Sequence, residues 1–527
     1  MVTRTEVRLP ARPLGQVKAW SAGRPERGTL LLLLGLGSLL AIALAITPSS
    51  SLQGVAGRIP GGSEARQVLL DHHTWVFGLL GAALALAVLL APSVFNLLNR
   101  IVDWLTSLDR RVFLGGVIAL TIASRLLLVG RMPPIIPNED PGHYLQLANT
   151  ILDEGRYIEY GTQNYRAWRP PAFPMALSMA LFLTGRNLWS IVALNTAWMV
   201  VLLLSLYFLV ERLGSERQAR LAVVACAFYP TLLASSLEAR SAVQFSALLM
   251  LATFLLFGRR GLYAALLGGL ALGLAALTRG NGLLMLPMLL AAYALYQPGR
   301  PDSRTRGSLG PPLRRIGLIV LGFAIAIGPW TIRNRIVMDH WIPIGTSGGM
   351  NMWRGHHPGG AGLHRPEYKA PYPKGLTEVE LANYGTRESL KYWLREPMEN
   401  LRIGARIVFA ITKVDSGLME VIYRDGVPEQ GRGRSVGLGL LGLFNLIYYG
   451  TWFLVLTWGV ARLAGRWPRG SRPGVLVLVA VLYLLTFIPF QAFQRYKEPM
   501  LPFLVASAGM VLAVLARPSA ASREVAR

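Results

Sequence analysis

A single cysteine, Cys226, occurs in 527 residues, and it stands inside an apolar run without a partner. That excludes an intrachain disulfide and a thiolate metal cluster. Charge is scarce as well: 15% of residues are charged while 53% are hydrophobic, proportions that suit a membrane protein and not a soluble one. Acidic residues are the rarer charged class, 28 against 53 Lys and Arg, for a net charge of +25. These cations are scattered between apolar runs, as in a protein seated in anionic lipid, which argues against nucleic-acid binding. His356, His357 and His364 lie in a Pro/Gly-rich loop at a spacing that matches no zinc pattern, and no metal site is assigned. No internal repeat is visible, which counts against an inverted-repeat transporter.

What the chain has in abundance is long apolar runs, several exceeding the roughly 18 residues a helix needs to cross a hydrocarbon core. Spans are expected near 29–48, 75–98, 113–130, 188–211, 219–235, 241–258, 261–278 and 282–297, then near 316–331, 440–462, 475–491 and 500–516. The first follows a basic segment and precedes Ser49–Ser51, but its length reads as an anchor and not a signal peptide.

Arginines give these spans a direction, because short cytoplasmic loops hold the Lys and Arg excess. The amino-terminal tail, the loops holding Arg100 to Arg111, Arg212 to Arg220, Arg259 and Arg260, Arg300 to Arg315 and Arg462 to Arg472, and the tail after Arg517 all fall on one side. This holds only if the run 171–185, short and carrying Pro171 and Pro174, is an interfacial or re-entrant helix instead of a crossing. The expected protein is therefore all-α and polytopic, with about a dozen spans, set in the inner (plasma) membrane with both termini cytoplasmic. A basic tail (1–28) and two extra helices (29–112) precede a core (113–331) with a first outer loop (131–187). An outer loop (332–439), carboxy-terminal helices (440–516) and a tail (517–527) follow. Within the second loop, Leu390, Trp393 and Leu394, then Leu401, Ala405, Val408 and Ile411, recur at helical spacing. Pro397 should divide them into two amphipathic helices lying on the membrane.

Chemistry gathers at the outer boundaries. The densest polar cluster is Asn138-Glu139-Asp140-Pro141-Gly142-His143-Tyr144, at the start of a helical pattern for which Pro141 suits the first turn. Glu139 and Asp140 are candidates for a general base or a metal site. Arg166 and Arg169 precede the interfacial run, and arginine there suits a phosphate. Glu238 and Arg240 sit between two crossings, Arg279 opens the outer turn Arg279-Gly280-Asn281, Arg333 and Asn334 end another span, and Arg495 begins the last. Ionisable residues wedged between apolar helices are costly and tend to be functional. Cations repeated on the outer face run against the positive-inside bias and call for an anion there.

Taken in order, these motifs resemble the GT-C membrane glycosyltransferases of the protein O-mannosyltransferase and aminoarabinose transferase type, over about residues 113–516. The matching parts are Asp140-x-x-x-Tyr144-x-x-x-Ala148, Arg169-Pro170-Pro171-x-x-Pro174 and Glu238 after Tyr229-Pro230. Further along come Thr278-Arg279-x-Asn281-Gly282, Pro329-Trp330-Thr331-Ile332-Arg333-Asn334, Gly348-Gly349-x-Asn351-x-Trp353 and Arg495-Tyr496-x-x-Pro499. One departure stands out: where many relatives carry Asp-Glu, this chain has Asp140-Pro141, with Glu139 one place early.

The resemblance implies a GT-C fold and transfer of a sugar, with inversion, from a polyprenyl-phosphate donor to a glycan, lipid or protein acceptor on the non-cytoplasmic face. Asp140, or Glu139, would deprotonate the acceptor. Arg169, Arg279, Arg495 and Tyr144 would hold the donor phosphate, supported by Glu238, Arg240, Arg333 and Asn334, with no cofactor required. The rival classes are a flippase for a lipid-linked saccharide, which should place ionisable groups at the midplane where only Arg125 stands, and a silent scaffold that kept the fold.

Overall fold

The computed structural model describes residues 24–47, 63–131, 139–161, 164–259, 261–296, 310–360, 370–413, 431–468, 471–491 and 493–516, with 17, 18, 21, 135 and 362 besides. Asn138, His364, the basic loop after residue 297 and the tail from 517 lie outside them.

Among the described residues the regular elements are helical. In chain order they are α1 (Pro25–Ile46), α2 (Ser63–Ser107), α3 (Arg110–Leu128), α4 (Asp140–Glu154), α5 (Ala172–Thr184), α6 (Leu188–Leu213), α7 (Glu216–Ala227), α8 (Pro230–Ser235) and α9 (Ala242–Thr253). There follow α10 (Leu262–Thr278), α11 (Gly282–Tyr296), α12 (Gly310–Met338), α13 (Ser347–Gly355), α14 (Glu378–Arg395), α15 (Pro397–Thr412), α16 (Gly431–Leu463), α17 (Gly474–Leu485) and α18 (Leu501–Leu515).

Among the described residues seven helices are long and apolar enough to cross a membrane, and the segments 242–258, 262–278, 282–294 and 474–485 are shorter apolar helices. The run 219–235, expected as one span, is instead two helices, because Pro230 carries no N–H to continue α7 and starts α8 afresh. Helix α5 has 13 residues, about 20 Å at 1.5 Å per residue, too short to span.

Several helix starts follow from their capping residues. The Asp109 side chain accepts from the Arg111 N–H at 2.8 Å before α3. Thr377 and Glu380 form a reciprocal capping box at α14. Pro397 begins α15, dividing it from α14 as its ring demands. The face that α15 buries is Ile403, Ile407 and Ile411, while Leu401 stays exposed.

The chain forms two compact units. One comprises residues 1–107, 453–471 and 511–527; in it Leu30, Ala91, Phe95, Ala461, Trp467 and Val514 share a core, and the buried Arg27 donates through Nε to the Leu515 carbonyl at 2.9 Å. The other holds residues 108–452 and 472–510. There α10 and α12 pack at backbone contact through two glycines: a Cβ on Gly269 would stand 2.0 Å from the Ile319 carbonyl oxygen, and one on Gly322 would stand 2.1 Å from that of Leu266. Small residues at such a crossing let membrane helices approach closely. This crossing orients the ends of α10 and α12, which carry Arg279 and Arg333.

Candidate active site

Helix α4 opens on the acidic pair, and the pair divides at once. Glu139 is the extended residue before the helix and is exposed. Asp140 is the first helical residue and turns inward: its Oδ1 lies 2.7 Å from Arg169 Nη1 and its Oδ2 lies 2.5 Å from Arg495 Nη2. One carboxylate thus bridges two guanidiniums that lie far apart in sequence. Burial would raise the Asp140 carboxyl, but Arg169 first, then Arg495 and Arg240, outweigh it and hold it far below the usual carboxylate range.

Arg169 is the hub. Beyond Asp140, its Nε donates to Glu159 Oε2 at 3.1 Å, and its guanidinium lies over the Tyr144 ring, 5.0 Å from the centroid. Tyr144 comes from the first turn of α4, packs edge-on against Phe173 with centroids 5.0 Å apart, and its hydroxyl lies 3.4 Å from Ser241 Oγ. Glu159 is 5% exposed, and its other oxygen lies 3.0 Å from His143 Nδ1. An Arg-centred network with each carboxylate shared between two partners is far more rigid than a single surface pair.

The loop between α4 and α5 holds this hub in place. Gly155 ends α4 with φ +63°, a left-handed turn suited to glycine. Glu159 and Tyr165 then exchange backbone hydrogen bonds of 2.8 and 3.0 Å. The Tyr157 hydroxyl donates toward the carbonyls of Arg169 and Pro170 at 3.0 and 3.2 Å; burial raises this phenol well above its ordinary range, so it remains a neutral donor. From outside, Glu378 accepts from the backbone N–H groups of Arg166 and Ala167 at 2.7 and 3.0 Å. Arg333 donates to the Arg166 carbonyl at 2.7 Å, and the buried Asn334 donates to that of Ile342 at 2.9 Å. Both therefore strap the loop and its surroundings.

Arg279 lies over the Tyr496 ring at 5.4 Å, beside the turn that carries Arg495. Glu238 and Arg240 form a 2.5 Å ion pair between α8 and α9. The four phosphate candidates thus converge: Arg169 and Arg495 on one carboxylate, Tyr144 under Arg169, Arg279 on the residue next to Arg495. His356 is fully buried with its ring nitrogens 2.7 Å from Asn400 Oδ1 and from the Ile488 carbonyl, which makes it a packing link between α13 and α15. Among the described residues no three of His, Cys, Asp or Glu gather as a ligand set. Arg125, a fully buried cation in α3, donates to Ala227 O at 3.0 Å and to Thr121 O at 3.3 Å, so it stitches α3 to the end of α7.

Residues not anticipated are Glu159, His143, Glu378 and Tyr157. Glu159 and Tyr157 sit in the loop after α4, His143 in the first turn of α4 and Glu378 at the start of α14, and no spacing in the sequence ties any of them to Arg169. Beside the Arg169-Pro171 step opens a cavity of about 700 Å³, largely apolar, lined among others by Tyr157, Met175, Trp198, Leu274, Trp330 and Arg333.

Residues 168–328 match the sequence profile of the family described as dolichyl-phosphate-mannose-protein mannosyltransferase, so the resemblance read from the motif order is met over that segment, and the matched family is one of glycosyltransferases of the GT-C type. No curated protein sequence matches the chain. Among solved structures the chain is similar to ArnT from Cupriavidus metallidurans bound to undecaprenyl phosphate, at 15% identity and a TM-score of 0.37 over 77% of this chain and 78% of that one. Its apo state gives 16% and 0.35, over 76% and 78%. The Archaeoglobus fulgidus oligosaccharyltransferase in complex with Zn and sulfate gives 14% and 0.42, over 76% of this chain but only 48% of that one, so the chain spans about half its length.

Proposed function

We propose that this protein transfers a sugar from a polyprenyl-phosphate donor to an acceptor hydroxyl at the non-cytoplasmic surface of the plasma membrane, with inversion at the anomeric carbon. The observation that carries this reading is the Asp140 carboxylate held between Arg169 and Arg495, with Arg279 beside them, in a chain whose central segment matches a glycosyltransferase family.

As it stands, Asp140 is a poor base, because two cations occupy its oxygens. A lipid phosphate competes for those same cations. When the donor diester engages Arg169 and Arg495, Asp140 loses its partners and regains basicity. It then takes the proton of the acceptor hydroxyl as that oxygen attacks the anomeric carbon from the face opposite the phosphate. The bond from that carbon to the phosphate oxygen breaks, the new glycosidic bond forms, and the charge left on the phosphate is met by Arg169, Arg279 and Arg495. The arginines serve the charge-neutralising role, and no metal is invoked. The apolar cavity beside Arg169 suits the first isoprene units of the donor. Glu139, exposed and one residue outside, is set to meet the acceptor and not the phosphate.

The test is a radiolabelled panel of polyprenyl-phosphate sugars presented to purified protein in liposomes, scoring transfer and translocation separately. Transfer is expected, and Asp140→Asn should abolish it while leaving donor binding within a few fold. Translocation without transfer would replace this reading with that of a flippase, and robust turnover by Asp140→Asn would remove Asp140 as the base.

A further inference from the structure

The cavity beside the Arg169-Pro171 step is walled largely by apolar groups, yet two residues of its lining carry polar atoms without a partner among the described residues. The first is Gln244 on α9, 2% exposed. The other polar side chains of that helix, Ser246 and Thr253, return their hydroxyls to the Ala242 and Leu249 carbonyls at 2.7 Å. Gln244 instead donates through Nε2 to Thr278 Oγ1 at 3.2 Å. Thr278 gives its own hydroxyl hydrogen to the Leu274 carbonyl at 2.8 Å. The amide nitrogen and not the amide oxygen must therefore face Thr278, which leaves Gln244 Oε1 as an acceptor with no donor. The second is Trp198 on α6, whose indole Nε1 is a donor with no acceptor. A buried acceptor and a buried donor left unpaired are each costly, and the two together on one cavity point to a ligand that supplies both partners.

Their neighbours say which part of a ligand stands there. Gln244 comes three residues after Ser241, whose hydroxyl lies 3.4 Å from that of Tyr144, the ring beneath Arg169. Its partner Thr278 directly precedes Arg279. On α6, Asn195, three residues before Trp198, donates to the carbonyls of Ser236 and Glu238 at 3.2 and 2.8 Å, and Glu238 is paired with Arg240. Both polar groups are thus tied to the arginine-bearing turns. Isoprene units carry no hydrogen-bonding atom, so the lipid accounts for the apolar walls and not for this pair. The sugar is the other substituent of the donor phosphate, and each of its hydroxyls donates one hydrogen and accepts at its oxygen.

We propose that Gln244 and Trp198 form the subsite that reads the donor's sugar, in which Gln244 Oε1 accepts a hydrogen bond from a sugar hydroxyl and Trp198 Nε1 donates to a sugar oxygen. This rests on the transfer reading and adds to it the residues that select the sugar. The ligand class is a polyprenyl-phosphate sugar with an unmodified hydroxyl turned toward α9.

The experiment measures binding by calorimetry on the purified full-length protein in detergent micelles, with no acceptor present. The probes are undecaprenyl phosphate, its mannosyl, glucosyl, galactosyl, N-acetylglucosaminyl and aminoarabinosyl derivatives, and the monodeoxy analogues of whichever derivative binds most tightly. Gln244→Met removes the acceptor at similar volume, and Trp198→Phe removes the indole donor while leaving the Gln244–Thr278 contact in place. Each should weaken the tightest sugar donor by about threefold to tenfold, the range for one neutral hydrogen bond, and leave undecaprenyl phosphate within about twofold of wild type. One monodeoxy analogue should bind wild type more weakly than its parent by the same factor and bind Gln244→Met as well as its parent does, because the bond it lacks is already gone. Wild type that binds every sugar alike would overturn the proposal. So would equal weakening of undecaprenyl phosphate and the sugar donor, which would assign the pair to the lipid, or deoxy analogues that lose as much on Gln244→Met as on wild type. Transfer is measured on the same preparations: selective binding without transfer fails the functional reading and leaves the subsite standing, whereas transfer with no coupling between Gln244 and a sugar hydroxyl fails the subsite alone. Where transfer occurs, both variants should raise the donor KM with kcat little changed, as for contacts felt equally in the ground and transition states.

Discussion

Replacing Arg169 by lysine keeps the charge and removes the fork, which isolates what the geometry contributes. In the native site one guanidinium meets Asp140 at 2.7 Å and Glu159 at 3.1 Å while lying over the Tyr144 ring. A lysine ammonium is a single point of charge and cannot satisfy carboxylates on two sides of a planar group. It would retain one contact, and hydrogen bonds to charged groups contribute about 1.5–3 kcal/mol each. Glu159, 5% exposed, would keep only His143, so the loss sits at the upper part of that range, plus a cation–π contribution of about 0.5–1 kcal/mol. The expected destabilisation is about 2–4 kcal/mol. Arg169→Met, which leaves Asp140 only Arg495 and Glu159 only His143, should cost about 3–5 kcal/mol. Thermal unfolding in detergent reads the stability, and transfer assays read the donor KM, which should rise with Arg169→Lys while kcat falls by about a hundredfold, as for loss of one charge-stabilising donor. An Arg169→Lys protein with wild-type midpoint and wild-type KM would refute the idea that the fork organises the site.

Other outcomes follow from the same geometry. The native Asp140 carboxyl is held below its unfolded value near 4, so its stabilising contribution is complete above that value and is lost as pH falls toward the native one. The difference in unfolding midpoint between wild type and Asp140→Asn should thus be flat from pH 8 to 5 and shrink below pH 4; a collapse already between pH 7 and 5 would contradict it. Gly269→Leu must push α10 off the Ile319 carbonyl, so it should lower the unfolding midpoint clearly and reduce folded yield by size exclusion, whereas Gly280→Ala, with nothing within 4 Å of its Cβ position, should not. Glu159→Gln should raise the donor KM by loosening Arg169 and should leave the Asp140-dependent proton step, read as the slope of kcat against pH, unchanged. Transfer by purified protein should persist in excess EDTA, and restoration of a lost activity by one divalent cation would overturn the arginine-only account.

Much of the architecture was legible in the chain because it rests on local signals. Apolar runs mark helices, Pro397 marks the division of α14 from α15, and the shortness and prolines of 171–185 mark a helix that does not cross. The misread run 219–235 shows the limit: mean hydropathy is blind to a single missing N–H, and Pro230 breaks the helix there. At the site, Asp140, Arg169, Arg279 and Arg495 could be picked out singly, since a charged residue at the end of an apolar run is conspicuous. Nothing in the sequence says that Arg495 returns across 355 positions to share a carboxylate with Arg169.

By itself, then, the sequence determined the membrane class, most of the helices and the identities of the charged groups at their ends. The partnerships were decided only by the tertiary structure: Glu139 turned out and Asp140 in, Glu159 against Arg169, and Arg495 on the same carboxylate. The physical reason is range. Helix formation and the apolar runs that mark it depend on neighbours within a few residues along the chain, whereas an ion pair depends on a distance of a few ångströms in space, which is set only when every helix between the partners has packed.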